Sequence, residues 1–227
     1  IGSGTTSITY QAAPTFNQKI NIDQDKYFAV DLPDKMIRQS MAKLLPFLQK
    51  GANSLAFDID QSLANLAATA QKSIGASAEV GATELVPFIA EASAFIKSNC
   101  QDADKPFMDL FVGSYTAEVI RQLIVDKATD NMAALQNGFI GRFNGFNVYE
   151  SSAIKTTGTF GTNLVEHNFA CITRNALGAV IQSDPTIEVI RRDASFADGL
   201  RGKSLYGVKN ILEKQYVAIV IKPDLSD

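Results

Sequence analysis

Three glycines give the strongest signal for chemistry in this sequence. Gly138, Gly141 and Gly145 lie in NGFIGRFNGFNVY, residues 137–149, at the kind of spacing that cradles the pyrophosphate of a dinucleotide. That chemistry needs a buried strand before the glycines and a helix that opens after them. Here the helix- or loop-like NMAALQ precedes them, and FNVYES, which is poorly suited to opening a helix, follows. We therefore expect structural turns that bound a β-element, and no cofactor.

A nucleophile activated by histidine is the next chemistry to consider. His167 is the only histidine in the sequence, and Cys171 follows four residues later. On a strand the two side chains would share a face but lie about 13 Å apart, too far for a Cys–His pair. Cys100 and Cys171 are also too few and too distant for a disulfide framework or a zinc site. We expect a partly buried histidine and two buried or inert free thiols, made in a reducing cytosol.

Two pairs of acidic residues could bind a cation. Asp23 and Asp25 lie in NIDQDKYF, which lacks the glycine and glutamate positions of a calcium loop. Asp58 and Asp60 lie in FDID, where a helix would direct them to different faces. We expect solvated or capping acids in both pairs. A weak calcium site at an interface, or a salt bridge to a neighbouring chain, is the alternative.

The composition narrows the class of protein. The chain has 227 residues, of which 46% are hydrophobic and 20% charged, with a formal net charge of −3. No apolar run is long enough to predict a membrane-spanning helix. Basic residues are scattered, with Arg191 and Arg192 the only adjacent pair, which argues against a nucleic-acid-binding module.

Helical patterning dominates the first half of the chain. One apolar stripe keeps a single helix face for about ten turns; it consists of Ile37, Met41, Leu44, Leu48, Ala52, Leu55, Ile59, Leu63, Leu66 and Ala70. Pro46 lies inside this pattern and predicts a kink. The small residues of IGASAEVGA, 74–82, predict a hinge and a domain boundary. A second helix is expected from Thr83, and a third from Ser114 to about Leu123.

Strands are expected mainly in the second half, so the fold class is α+β. The predicted strands are 27–30, 106–113, 146–149, 167–173, 186–191, 204–211 and 215–221, with a short helix at 175–182. Asp198-Gly199 and Arg201-Gly202 predict loops. A long helix, an N-terminal arm without a core and many loops suit a subunit that contacts copies of itself.

Three segments resemble the major capsid proteins of tailed bacteriophages. GFIGRFNGFNVYESSAI is similar to a turn that leads into a strand of that family's axial domain. RRDASFADGLRGKSLYGVKNILEKQYVAIVI resembles its C-terminal strands, with turns expected at Gly199, at Gly202 and at Gly207, where a long strand ends. INIDQDKYFAVDLPDKMIRQS resembles the return strand of its extended loop, which runs into the spine helix.

The resemblance implies the Hong Kong 97 fold, with a long spine helix, a peripheral domain and an inserted axial domain. Residues 1–30 would form the extended-loop remnant or arm. Residues 31–75 and 186–227 would form the peripheral domain, and 76–185 the axial domain. Lys19 lies in the loop remnant, but no matching asparagine or acid is found, so no isopeptide crosslink is predicted.

The resemblance also implies a structural protein and not an enzyme. Hexamers and pentamers of the subunit would form an icosahedral shell around double-stranded DNA. The shell would assemble in the host bacterial cytoplasm and persist in the virion, without a membrane. Scaffolding, portal, decoration and minor capsid proteins are the further partners that it implies. The alternatives are an encapsulin-type nanocompartment shell, another virion component, and a small nucleotide-binding α/β enzyme.

Overall fold

The computed structural model describes residues 18–35, 44–101, 104–127, 139–159, 163–174, 176–192 and 197–224. In chain order its elements are β1 (Gln24–Pro33), α1 (Leu44–Asn65), β2 (Lys72–Val80), α2 (Ala82–Asn99), β3 (Met108–Val112), α3 (Ser114–Lys127), β4 (Phe139–Phe143), β5 (Phe146–Glu150), β6 (Thr156–Thr157), β7 (Val165–Ile172), β8 (Leu177–Arg192), β9 (Ala197–Asn210) and β10 (Tyr216–Pro223). Short 3₁₀ turns at Leu66–Thr69, Lys105–Phe107 and Glu213–Gln215 connect some of them.

Two β-sheets organise these elements. The first has three antiparallel strands in the order β1-β9-β8. The second has the order β2-β10-β7-β3-β5-β4, with β6 paired to β7. In this second sheet the pairs β2–β10 and β3–β5 are parallel, and the remaining pairs are antiparallel. The mixture of parallel and antiparallel pairs follows from the crossover helices α2 and α3 that the chain inserts between strands.

The seven-stranded sheet has a buried core on each face. Successive residues of β7 alternate between the two cores, as the period of a strand requires. Ala170 and Ile172 face the larger core, which α2 and α3 cover. Phe169 and Cys171 face the smaller core, which contains Ala64, Ala67 and Tyr216. The continuous apolar run of this strand therefore reflects burial on both faces.

Helix α1 connects the two sheets. It packs along the three-stranded sheet, where Leu55 is buried. Its last turn and the following 3₁₀ turn contribute Ala64 and Ala67 to the smaller core of the other sheet. Pro46 is the third residue of α1. Residues 36–43 lie outside the described residues, so the kink expected at Pro46 stays a prediction. Ile37 and Met41, the first residues of the predicted stripe, lie outside the described residues.

The structure corrects two predicted elements. The predicted helix at 175–182 is wrong, because strand β8 begins at Leu177 and pairs with β9 as far as Arg192, with two shifts of register. The predicted loops at Asp198-Gly199 and Arg201-Gly202 are also wrong, because β9 is continuous from Ala197 to Asn210. In both segments, tertiary strand pairing outweighs the local preference of the residues.

Paired strands cross the expected domain bounds, which stay a prediction. The expected hinge at 74–82 is mostly strand β2, which crosses the predicted boundary at 75/76 and pairs with β10. Gly75 has a packing role, since a Cβ there would lie 2.8 Å from the carbonyl oxygen of Val220. Strand β10, expected in the peripheral domain, lies inside the seven-stranded sheet. Residues 24–30, expected in the arm, belong to the paired strand β1.

Candidate assembly surface

Two aromatic side chains, Phe28 and Tyr206, join the three-stranded sheet to α1. Phe28 of β1 lies between Gly51 of α1 and Gly202 of β9. A methyl group added to either glycine would overlap the ring. Tyr206, fully buried on the same face of β9, holds α1 further along, because its hydroxyl donates to the carbonyl of Asp58 at 3.2 Å and lies 2.8 Å from Ser62 Oγ. The sheet and the helix therefore form one packed unit.

The opposite face of this sheet is exposed and carries charges in cross-strand pairs. Arg201 of β9 lies directly opposite Glu188 of β8, with 2.7 Å between Nη2 and Oε2. Lys203 pairs with Asp25 of β1 at 3.3 Å. Exposed ion pairs of this kind contribute little stability individually. Their alternating signs leave the face without a large field of one sign.

Two arginines at the end of β8 bind acidic residues at the end of β1 and directly after it. Arg191 donates to Asp34 at 2.7 Å, and also to Asp198. Arg192 pairs with Asp31 at 3.0 Å, reaching across β9 to do so. Gly199 lies between the partners, 3.5 Å from Arg192 Nε when a Cβ is placed on it, so its missing side chain leaves the path open. Arg191 and Arg192 therefore connect β8 to the end of β1 within one chain, and we call this pair the arginine clamp.

Apolar side chains on and around this sheet remain exposed. Tyr27 of β1 is 79% exposed and Val189 of β8 is 59% exposed. Val180 and Ile181, also on the edge strand β8, are more than a third exposed. A long edge strand with exposed β-branched residues is a surface on which another chain can pack.

A cleft of about 350 Å³ lies between α1 and the seven-stranded sheet. Its floor is a row of aromatic rings, in which Phe111 stacks on Phe169 at 4.9 Å and on Tyr149 at 5.6 Å between ring centroids. Leu63 and Asp60 of α1 form part of its wall. Glu150, which is paired with Arg121, lies at its edge. The cleft is therefore apolar at its floor and acidic at its rim.

Glu166 has a structural role that the sequence did not predict. It is buried at the start of β7, and its carboxylate accepts the N–H groups of Tyr115 and Thr116 at 3.2 and 2.8 Å. These are orphan donors in the first turn of α3. Asn168 extends the network, since its amide oxygen accepts the N–H of Gly113 at 2.8 Å. The two polar side chains of β7 thereby fix the start of α3.

The six glycines expected in turns have different positions. Gly138 lies outside the described residues. Gly145 does form a turn, with Asn144, between β4 and β5; their φ angles are 90° and 48°. The turn expectation is wrong for the other four. Gly141 lies within β4 at a shift of register, and Gly199, Gly202 and Gly207 lie within β9.

The hairpin β4–β5 also rules out the arrangement of a dinucleotide loop, because a strand follows Gly145 where a helix would have to begin. Gly207 is required for packing, since a side chain there would overlap the backbone carbonyl of Asn21. The other glycines of β9 face Phe28 or the arginine clamp. The glycines of β9 therefore allow neighbouring elements to pack closely against this strand.

The remaining candidate residues lie apart from one another. His167 and Cys171 are both on β7, where burial and then the nearby Lys155 ammonium lower the pKa of His167. Burial raises the pKa of the Cys171 thiol, and the carboxylate of Asp109 adds to this effect.

The acidic residues near the start of β1 have partners within the chain. Asp23 accepts a hydrogen bond from the side chain of Gln24 at 3.1 Å, and Asp25 pairs with Lys203. Among the described residues, no group of three or more His, Cys, Asp or Glu side chains could bind a metal.

In the part of the chain that the structure describes, no helix is long and apolar enough to cross a bilayer. No protein-family model matches the sequence, and no curated protein matches it.

Solved structures do match, over most of the chain. A protein of Mycobacterium phage Che8 is 25% identical and superposes with a TM-score of 0.72, covering 88% of this chain and 71% of that one. The capsid structure of cyanophage P-SCSP1u is 14% identical, with a TM-score of 0.68 over 97% of this chain and 82% of that one. The mature capsid of bacteriophage PhiM1 is 13% identical, with a TM-score of 0.64 over 98% and 80%. The chain has the fold of a tailed-phage major capsid protein.

Proposed function

We propose that this chain is the major capsid subunit of a tailed phage, and that hexamers and pentamers of it form an icosahedral shell around double-stranded DNA. The observation that carries this proposal is the agreement in fold with a cyanophage capsid over 97% of the chain. The 25% identity to the protein of phage Che8 adds support from sequence. The formal charge of −3 suits a shell that holds DNA without binding it tightly.

In this proposal the two sheets correspond to the two domains of the Hong Kong 97 fold. The three-stranded sheet with α1 is the peripheral domain, and α1 is its spine helix. The seven-stranded sheet with α2 and α3 is the axial domain, to which β2 and β10 also belong. For the described residues, we propose a peripheral domain within 24–71 and 177–212 and an axial domain within 72–174 and 213–224.

The subunit acts by self-association and carries out no reaction. Its exposed apolar side chains on β1 and β8 supply area that a monomer leaves in contact with water. Burial of such area between copies drives assembly. Scaffolding, portal, decoration and minor capsid proteins remain further proposed partners, and the virion the proposed location.

Sedimentation and negative-stain electron microscopy of the purified protein test the proposal. We expect capsomers or closed shells under native conditions, and a stable monomer at micromolar concentration would contradict it. The content of shells isolated after nuclease treatment separates the remaining alternatives. Protected double-stranded DNA supports the capsid function, whereas an enclosed enzyme would indicate a nanocompartment.

A further inference from the structure

The turn between β4 and β5 places an asparagine directly before a glycine at the surface of the chain. Asn144 and Gly145 are both exposed to solvent. Because glycine has no side chain, the main-chain nitrogen of Gly145 is open to close approach by the side-chain amide carbon of Asn144, Cγ. A bond between these two atoms would close a five-membered ring and release the side-chain nitrogen of Asn144 as ammonia.

Helix α2 holds the peptide unit that joins these two residues. The buried hydroxyl of Ser93 donates to the main-chain carbonyl oxygen of Asn144 at 3.3 Å. The ammonium of Lys97, one turn further along α2, lies 3.2 Å from the position that a Cβ of Gly145 would take. A hydrogen-bond donor and a positive charge therefore lie beside the same peptide unit.

Both groups favour loss of the Gly145 amide proton. Once that proton has left, the negative charge is shared between the nitrogen and the carbonyl oxygen of Asn144. Ser93 already donates to this oxygen, and a hydrogen bond becomes stronger when its acceptor becomes charged. The Lys97 ammonium attracts the same charge. Helix α2 therefore increases the population of the amide anion, which is the nucleophile that can attack Cγ.

The position of the turn in the sheet allows the reacting atoms to meet. The attack needs rotation about the Cα–C bond of Asn144, which the turn holds at a φ angle of 48°. Strand β4, which precedes the turn, lies at the edge of the seven-stranded sheet, and its pairing with β5 shifts in register between Phe139 and Gly141. The rotation can thus be taken up by movement of β4, where little pairing is lost, while α2 keeps the peptide unit in place.

We propose that Asn144 is a site of spontaneous deamidation, promoted by Ser93 and Lys97 of α2. Hydroxide removes the amide proton of Gly145, and the nitrogen forms a bond to Cγ of Asn144. The Cγ–Nδ2 bond then breaks, and ammonia leaves with a proton from water. Water next opens the cyclic imide. Aspartate forms when the new N–Cγ bond breaks, and isoaspartate forms when the bond to the main-chain carbonyl carbon breaks.

Either product changes the turn. Each places a carboxylate beside the ammonium of Lys97, where the amide carried no charge. Isoaspartate also lengthens the main chain by one atom, which a two-residue turn does not accommodate without a change of register. The reaction therefore alters the edge hairpin of the seven-stranded sheet irreversibly.

Peptide mass spectrometry of the purified, folded chain after incubation at pH 8 tests this site. Trypsin cleaves after Arg142 and Lys155, so Asn144 lies in a different peptide from Asn137, which also precedes a glycine. We expect the mass change of an amide converted to an acid in peptide 143–155, assigned to Asn144 by its fragment ions. Labelling by an isoaspartyl methyltransferase should identify the isoaspartate.

Variants of α2 separate activation by the structure from the effect of the sequence alone. Ser93→Ala should slow the conversion of Asn144 about fivefold through loss of one hydrogen bond, and Lys97→Met about threefold through loss of one surface charge. Lys97→Arg should retain the wild-type rate because it keeps the charge. Ser98→Ala is the matched control, since Ser98 donates within α2 to the carbonyl of Phe95 at 2.8 Å. Added salt should slow the wild type more than Lys97→Met, because salt screens the ammonium.

Three results would overturn the proposal. The first is an unmodified Asn144 in the folded chain under conditions that convert it in the urea-unfolded chain. The second is an equal rate in the wild type, Ser93→Ala and Lys97→Met, because the sequence alone would then account for the reaction. The third is faster conversion in Ser93→Ala, because the serine would then protect the turn.

Discussion

The carboxylate of Glu166 accepts both the backbone N–H and the hydroxyl of Thr116, at 2.8 and 2.6 Å. The first turn of α3 contains no acidic residue of its own, and Glu166 supplies the negative charge that a helix N-terminus favours. Gly113 allows the carboxylate to approach, since a side chain there would overlap it. A residue of β7 thus caps a helix that begins about fifty positions earlier in the chain.

Replacement of Glu166 by alanine should lower the free energy of unfolding by about 3 kcal/mol, because it leaves two buried N–H groups and a hydroxyl without their charged acceptor. Urea denaturation at nanomolar protein concentration, below that at which the subunit assembles, measures this loss. Glu118→Ala is the control on the same helix, since Glu118 pairs with Arg121 at the surface. The control should lose less than about 0.5 kcal/mol. Similar losses in the two variants would show that Glu166 is not a buried cap.

The sequence predicted the strand that carries Glu166 but not this role. Periodicity and composition identify elements whose burial is a local property, and β3, β5 and β7 were found in this way. Capping from a distant strand depends on which elements become neighbours, and no pattern within β7 encodes that. The arginine clamp on β1 is the same kind of feature, since Arg192 and Asp31 meet only after β9 has inserted between their strands.

The glycines of β9 show where a local rule misled. A glycine after an aspartate or arginine is typical of a turn, and on that basis Gly199 and Gly202 were expected in loops. In the structure their function is close packing, which a single sequence does not distinguish from a turn. The ring of Phe28 fills the space that a side chain at position 202 would need. Gly202 does not have a positive φ angle, so backbone conformation does not require a glycine there.

Gly202→Ala should therefore lower the free energy of unfolding by about 2 kcal/mol through overpacking. The ring of Phe28 cannot simply move away, because Gly51 confines it on the other side. Phe28→Leu in the same chain should recover part of the loss, since leucine is shorter than the ring. Gly199→Ala is the control in the same strand, where the nearest atom to a new Cβ is 3.5 Å away. Urea denaturation of all four proteins decides between overpacking and a backbone effect, which Phe28→Leu would not relieve.

The two cysteine thiols should differ in reactivity. Burial raises the pKa of the Cys171 thiol, so at pH 8 it remains protonated, and the thiolate that reacts with disulfide reagents is not formed. Cys100 is only partly buried. Titration of the folded subunit with an aromatic disulfide reagent at pH 8 should modify one thiol, and the second should react only after unfolding. The Cys100→Ser variant should show no reaction until denaturant is added, and rapid modification of that variant would contradict the buried state of Cys171.

The hairpin between β4 and β5 provides a direct test of backbone conformation. Asn144 and Gly145 both have positive φ angles, the signature of a two-residue turn of type I′. Alanine at Gly145 should lower the melting temperature by about 4 °C, because an L side chain is strained at a φ angle of 90°. The amine of Lys97, the nearest group to a new Cβ at 3.2 Å, is the end of a flexible chain and can move. Asn144→Gly is the control, since glycine adopts that φ angle freely, and it should leave the melting temperature nearly unchanged. Circular dichroism on heating measures both variants, and an equal fall in the two would show that the strain is not at position 145.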